Sequence, residues 1–393
     1  MTQTPSRDLL GLSIMIMRSL LLVLLFFVSG DAFAFGDDDK TYCKSCESTG
    51  LQPCRKHKRA ECLLEDGLVY CTEFDGCEVC SGVGWIDCVK CESPAGAEEL
   101  ERRLAGRARG AERHKWIHEG MGRNLRLAET EHFRLVWEID SLKVKKKRLN
   151  GHQLLHLYAD RLEQLWEDYA KVLGATRGSF KEKPLVLAWW LPADQSKASR
   201  VFCNNQNPAG TKLLGATPRY SFCGNKQLVQ NDEALHRSVV HNVTHVLLSH
   251  QTPSFWIGNV KGGWADAGLA HWFEDRYSGL CTNYCYQEQN TTVNFKGGKY
   301  KLAIRKLVSA DKVSAAAVVF EKNTDTLTPE EHAVSFSYVD YLISIDGKKF
   351  SNLARMLKKR ASTRDALQET YDLNPLEFEA KWKAWVLATY PKR

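Results

Sequence analysis

No low-complexity tract and no long-period repeat runs through this 393-residue chain. That excludes fibrous, solenoid and wholly disordered architectures. Hydrophobic residues make up 44% and charged residues 26%, a globular balance over a length greater than one typical domain needs. The formal charge is +7, yet no recognised nucleic-acid motif accompanies the basic runs Lys145-Lys146-Lys147-Arg148 and Lys358-Lys359-Arg360. These runs read as solvated surface, and no nucleic-acid partner is expected.

The apolar run Leu20–Val28 is short for a membrane span, although Leu12–Met17 would lengthen it. It follows Arg18 and precedes Ala32-Phe33-Ala34, the order of a secretory signal with small residues at its cleavage point. The expectation is a cleaved signal peptide over 1–34 and an exported protein, periplasmic or extracellular, with no stable span after cleavage. No cysteine sits at the cleavage point, so no lipid anchor is expected there.

Thirteen cysteines are present, and nine of them fall between Cys43 and Cys91. Cys43-x2-Cys46-x7-Cys54-x2-His57 is followed by Cys77-x2-Cys80-x7-Cys88-x2-Cys91. Each pair presents two ligands to one ion, and two pairs complete a tetrahedron, so the eight positions suit two structural zinc ions. Gly50, Gly82 and Gly84 fit the tight turns of such knuckles. The competing reading is a disulfide-stapled module, against which His57 and the regular spacing argue. Cys62 with Cys71, and Cys203 with Cys223, are candidate disulfides; Cys281 and Cys285 have no assigned role.

The segment Cys77-Glu78-Val79-Cys80-Ser81-Gly82-Val83-Gly84 resembles the C-x2-C-x-G-x-G knuckles of DnaJ-type chaperones. The resemblance covers about fifty residues, and no J-domain is present. It implies one ion held by the outer pairs, Cys43, Cys46, Cys88 and Cys91, and one held by Cys54, His57, Cys77 and Cys80. Sequential pairing fits the spacing equally well.

The expected organisation is a cysteine-rich module over 35–92, a charged helical or flexible linker over 93–125, and a mixed domain over 126–393. Phe133–Ile139 alternates as a strand, and Leu185–Leu191 reads as a buried one. Residues 153–173 carry apolar positions at helical spacing, with Gly174 as the stop. Residues 200–230 read as short strands and loops. Asn231 caps a further helix with Asp232 and Glu233 in its first turn. On that helix Leu235, Val239, Val243 and Val246 form an apolar stripe, and His241 and His245 point to roughly the opposite side, as expected of cleft residues. A second helix over Trp264–Tyr277 and several helices between Pro329 and Tyr390 complete the reading.

His241-Asn242-Val243-Thr244-His245 places two histidines at i and i+4, a spacing that lets both reach one zinc ion. Trp264–Glu274 and Ser337-Tyr338-Val339-Asp340-Tyr341-Leu342 follow at intervals that resemble the gluzincin metallopeptidases, in particular their peptidase-MA-like members. The resemblance covers more than half the chain. It implies an α+β fold, a gluzincin-like zincin domain with a helical C-terminal part.

The departures fall where the family keeps its chemistry. Asn242 stands at the glutamate base and Ala267 at the glutamate ligand. His241 and His245 match the imidazole ligands. Asp266 and His271 are the candidates for a substitute third ligand, Glu274 shares a face with Ala267, and Tyr338 stands near a possible oxyanion-stabilising tyrosine. Losing the base costs on the order of a hundred- to ten-thousand-fold in rate, and losing the ligand removes the ion that activates water. The expectation is therefore a degenerate metallopeptidase that binds a peptide or protein partner, with only a weak or vestigial metal site. One rival is a divergent active zinc hydrolase using Asp266 or His271. The other is a chaperone-like scaffold acting through the cysteine module.

Overall fold

A computed structural model of the chain describes residues 42–56, 68–72, 75–91, 93–225, 231–284 and 295–392. The expected signal peptide and the residues His57, Cys62 and Cys285 lie outside these segments. The described strands are β1 (Leu51–Pro53), β2 (Leu68–Cys71), β3 (Trp85–Asp87), β4 (Leu127–Thr130), β5 (Arg134–Glu138), β6 (Ser141–Val144), β7 (Lys147–Asn150), β8 (Leu185–Trp189), β9 (Gly210–Leu213) and β10 (Arg219–Cys223). The helices are α1 (Pro94–Met121), α2 (Gly151–Leu173), α3 (Pro192–Cys203), α4 (Asp232–His250), α5 (Gly263–Ser278), α6 (Tyr300–Ser309), α7 (Ala316–Val319), α8 (Pro329–Ile345), α9 (Gly347–Lys358), α10 (Thr363–Tyr371) and α11 (Pro375–Thr389).

Six strands form one mixed sheet in the order β2-β4-β5-β8-β10-β9. Its centre is parallel, with β8 between β5 and β10, while the other pairings are antiparallel. Every residue of β8 is buried, as a strand covered on both faces requires. Alternation sorts the side chains into two cores. Leu135, Trp137, Val186 and Ala188 join α2, α4, α5 and the C-terminal helices on one face. Val136, Leu185, Leu187 and Trp189 join Ile117 and Met121 of α1 and Phe202 of α3 on the other. The fold is mixed α+β, three layers deep at the sheet.

Two expected local signals hold, Gly174 at the end of α2 and Asn231 at the start of α4. Asn150 and Gln153 form a capping box that opens α2, and Gly174 ends it at a φ of 62°. The Asn231 side chain accepts from the Ala234 amide at the start of α4. The short strands expected in 200–230 are β9 and β10, but that reading misses the end of α3, whose signals are Pro192 in its first turn and Asn204 as a left-handed stop.

The cysteine-rich segment is joined to the main sheet. β2 pairs with β4, placing Cys71 opposite Ala128. The segment expected as a linker is the single helix α1, which buries Gly110, His114, Ile117 and Met121. Residues 43–393 cluster as one compact unit. No helix among the described residues is long and apolar enough to cross a membrane.

Candidate metal centres

The two cysteine half-modules grip one another before any ion is considered. β1 and β3 pair antiparallel, and two reciprocal bonds flank the ribbon: Cys54 N–H to Gly84 O and Cys88 N–H to Gly50 O, both 2.8 Å. Gly50 and Gly84 adopt φ of +79° and +76°, a left-handed turn that favours glycine. In that turn their amides donate to the sulfurs of Cys46 and Cys80 at 3.4 and 3.3 Å.

This framework brings Cys43, Cys46, Cys88 and Cys91 together, and separately Cys54, Cys77 and Cys80, each set with its sulfurs within 4.8 Å of one another. Zn–S bonds of about 2.3 Å at the tetrahedral angle would set sulfurs about 3.8 Å apart. Cys43 and Cys88 are 3.8 Å apart, Cys54 and Cys77 4.0 Å, and Cys46 and Cys91 3.3 Å. The residues fit tetrahedral thiolate sites, and the first half-module's leading pair is closed by the second's trailing pair. Sequential pairing is not the arrangement adopted.

Burial raises the cost of a Cys46 thiolate, but hydrogen bonds from Cys91 and the Gly50 amide outweigh it and bring the pKa down to about 7. The bond to Cys46, then burial and the neighbouring Cys88 and Cys43, push Cys91 up to about 12. One proton leaves such a cluster readily and the next does not, unless a cation compensates the charge.

The candidate disulfide between Cys203 and Cys223 is not formed. Both are buried thiols. Cys203 packs into the α1–α3 core, while Cys223 donates to the Trp190 carbonyl at 3.5 Å. Burial pushes the Cys203 thiol up to about 11. The Cys281 thiol, also buried, donates to the His271 carbonyl.

The second cluster lies where α4, α5 and α8 meet. His241 and His245 do point away from the apolar stripe of α4, but that side is not an open cleft. Their exposures are 0% and 1%. α5 brings His271 against His241, α8 brings His332 against His271, and Lys212 of β9 reaches Asn242. The fully buried Glu274 carboxylate accepts from Nδ1 of His241 at 3.2 Å and from Nδ1 of His271 at 3.1 Å. It also takes the Thr282 and Asn283 amides. Burial alone would raise its pKa, and the His241 and His271 contacts instead bring it down to about 2. Burial, which outweighs the bond to Glu274, brings His241 down to about 3.

Nε2 of His241 lies 3.3 Å from Nε2 of His245, and the two nitrogens share a hydrogen bond. Two nitrogens bound to one zinc at about 2.05 Å and the tetrahedral angle would lie about 3.3 Å apart. The pair fits a shared ion. The remaining positions do not complete a peptidase site. Asp266 sits 2.9 Å from Nδ1 of His245, on the far side of that ring from His241, with its other oxygen held by Trp256 and Thr324. His271 turns Nε2 to His332 at 3.1 Å, and a ligand set of His241, His271 and Glu274 lies within 4.8 Å. Ala267 offers no ligand atom. The Asn242 amide donates to the Ser238 carbonyl at 2.8 Å and accepts from Lys212. Tyr338 is buried among Trp264, Phe320, Phe378 and Trp382.

His332 is the member that sequence reasoning missed. It lies in the first turn of α8, and no spacing ties it to the α4 pair. No protein-family profile matches this chain, and no match was found among curated proteins.

Proposed function

We propose that this is an exported zinc-binding protein whose peptidase-like domain holds a peptide or protein partner without hydrolysing it. The observation that carries the reading is Asn242. At the position of a general base it has no proton-accepting carboxylate, and Lys212 and Ser238 occupy both ends of its amide. The histidines beside it are sealed from solvent, so water has no ready approach to be activated. β9 is the outer strand of the sheet, the position at which an extended peptide adds by backbone pairing. The knuckle cysteines, with His57 completing the second set, hold two structural zinc ions.

A second reading is favoured by the 3.3 Å separation of the two Nε2 atoms. In it the histidines keep a zinc ion, His271 or Asp266 moves in as third ligand, and weak hydrolysis survives. Metal analysis of the purified mature chain together with peptidase assays separates the two. The binding reading expects no chelator-sensitive cleavage in the wild type. Cleavage that a chelator stops and His245→Ala abolishes would establish the hydrolase instead.

A further inference from the structure

We propose a further metal site, distinct from the two knuckle sites and the buried histidines, formed by Cys71, His152 and His156 and suited to zinc. The three residues come from two elements that the fold locks together. Cys71 ends β2, and its place is fixed on several sides. It pairs with Ala128 of β4, its carbonyl accepts from Arg107 at 2.8 Å, and the next amide, of Thr72, donates to Leu127. His152 and His156 stand four residues apart at the start of α2. The Asn150–Gln153 capping box fixes the beginning of that helix, so both rings leave the same helical face.

The donor atoms fit one ion. Cys71 Sγ and one nitrogen from each ring all lie within 4.8 Å of one another. Cys71 Sγ is 3.8 Å from Nε2 of His156, and the ring centroids are 4.4 Å apart. A zinc ion with bonds of about 2.3 Å to sulfur and about 2.05 Å to nitrogen would set those two atoms about 3.6 Å apart. Thiolate and imidazole together form the mixed soft and borderline donor set that selects zinc over magnesium or calcium.

Cys71 is buried while both histidines are partly exposed, so the sulfur closes the inner side and the ion is reached from outside. Three protein ligands leave one coordination position for solvent, as in exchangeable rather than closed structural sites. Such an ion would strap the outer strand contributed by the cysteine-rich segment to α2. It does not depend on how the peptidase-like cluster is read.

The test uses the mature full-length chain, loaded with zinc and separately with cobalt. His152→Ala with His156→Ala is expected to lower bound metal by one equivalent per chain. It should remove part of the sulfur-to-cobalt absorption and leave the knuckle contribution. In the wild type, alkylation of Cys71, located by mass spectrometry, is expected to slow several-fold when zinc is added. That second measurement needs no variant. Unchanged metal content in a folded double variant would overturn the site. So would Cys71 alkylation indifferent to zinc, or recovery of Cys71 in a disulfide with Cys62.

Discussion

Asn242 and Ala267 are the two positions where a single side chain decides the chemistry of the α4–α5 cluster. Replacing both by glutamate restores a carboxylate beside His241 and another at the aligned ligand position. The expected outcome is a gain of chelator-resistant zinc in the Asn242→Glu, Ala267→Glu double variant, measured as metal per chain after dialysis. No gain in a folded double variant would break the alignment with the peptidase motif. His236 makes a different residue-scale prediction. Burial, with Arg161 adding to it, lowers its pKa to about 4, against about 6.5 in an unfolded chain. The unfolded state therefore takes up this proton first as pH falls. The stabilisation from keeping the ring neutral is present above pH 6.5 and is lost towards pH 4. Urea unfolding at pH 7 and pH 4.5 should show a loss on the order of 1–2 kcal/mol from this group, after allowance for its partial exposure. His236→Phe should show a correspondingly smaller drop.

At the scale of elements, α5 and α8 pack closely because Gly268 has no side chain. A Cβ there would lie 2.4 Å from the Ser335 carbonyl oxygen. Gly268→Ala must push the two helices apart, and overpacking of this kind costs about 1–3 kcal/mol. Thermal unfolding should show the loss, and a neutral result would mean that the helices slide at little cost. The same contact shows why some elements were legible and others were not. α2 carries its own stop in Gly174 and α4 its own cap in Asn231, so local chemistry marks those ends. No helix is expected over α3 because its apolar positions are few and its role is to cover one face of the sheet. The strand β2 is only four residues long, and its partner β4 lies some sixty positions later, a pairing that periodicity cannot announce.

For the whole molecule, the β1–β3 ribbon is two strands of three residues each, too little to be stable without staples. The sheet and the C-terminal helices have large apolar cores of their own. Chelation is therefore expected to raise hydrogen exchange in residues 43–56 and 75–91 while the amides of β5, β8 and α4 stay protected. Global unfolding on chelation, or no change in the ribbon, would each contradict this division.

The order of residues was enough to establish the knuckle spacing, the paired histidines on one helix face and the absence of a base between them, because each depends on near neighbours and fixed periodicities. Which knuckle faces which depends on contacts across forty-five positions. The closure of the histidines under α5, α8 and Lys212 depends on contacts thirty or more positions apart. The meeting of Cys71 with His152 and His156 spans more than eighty positions. Such contacts are set by how the sheet and helices pack, and by nothing local to the residues that make them.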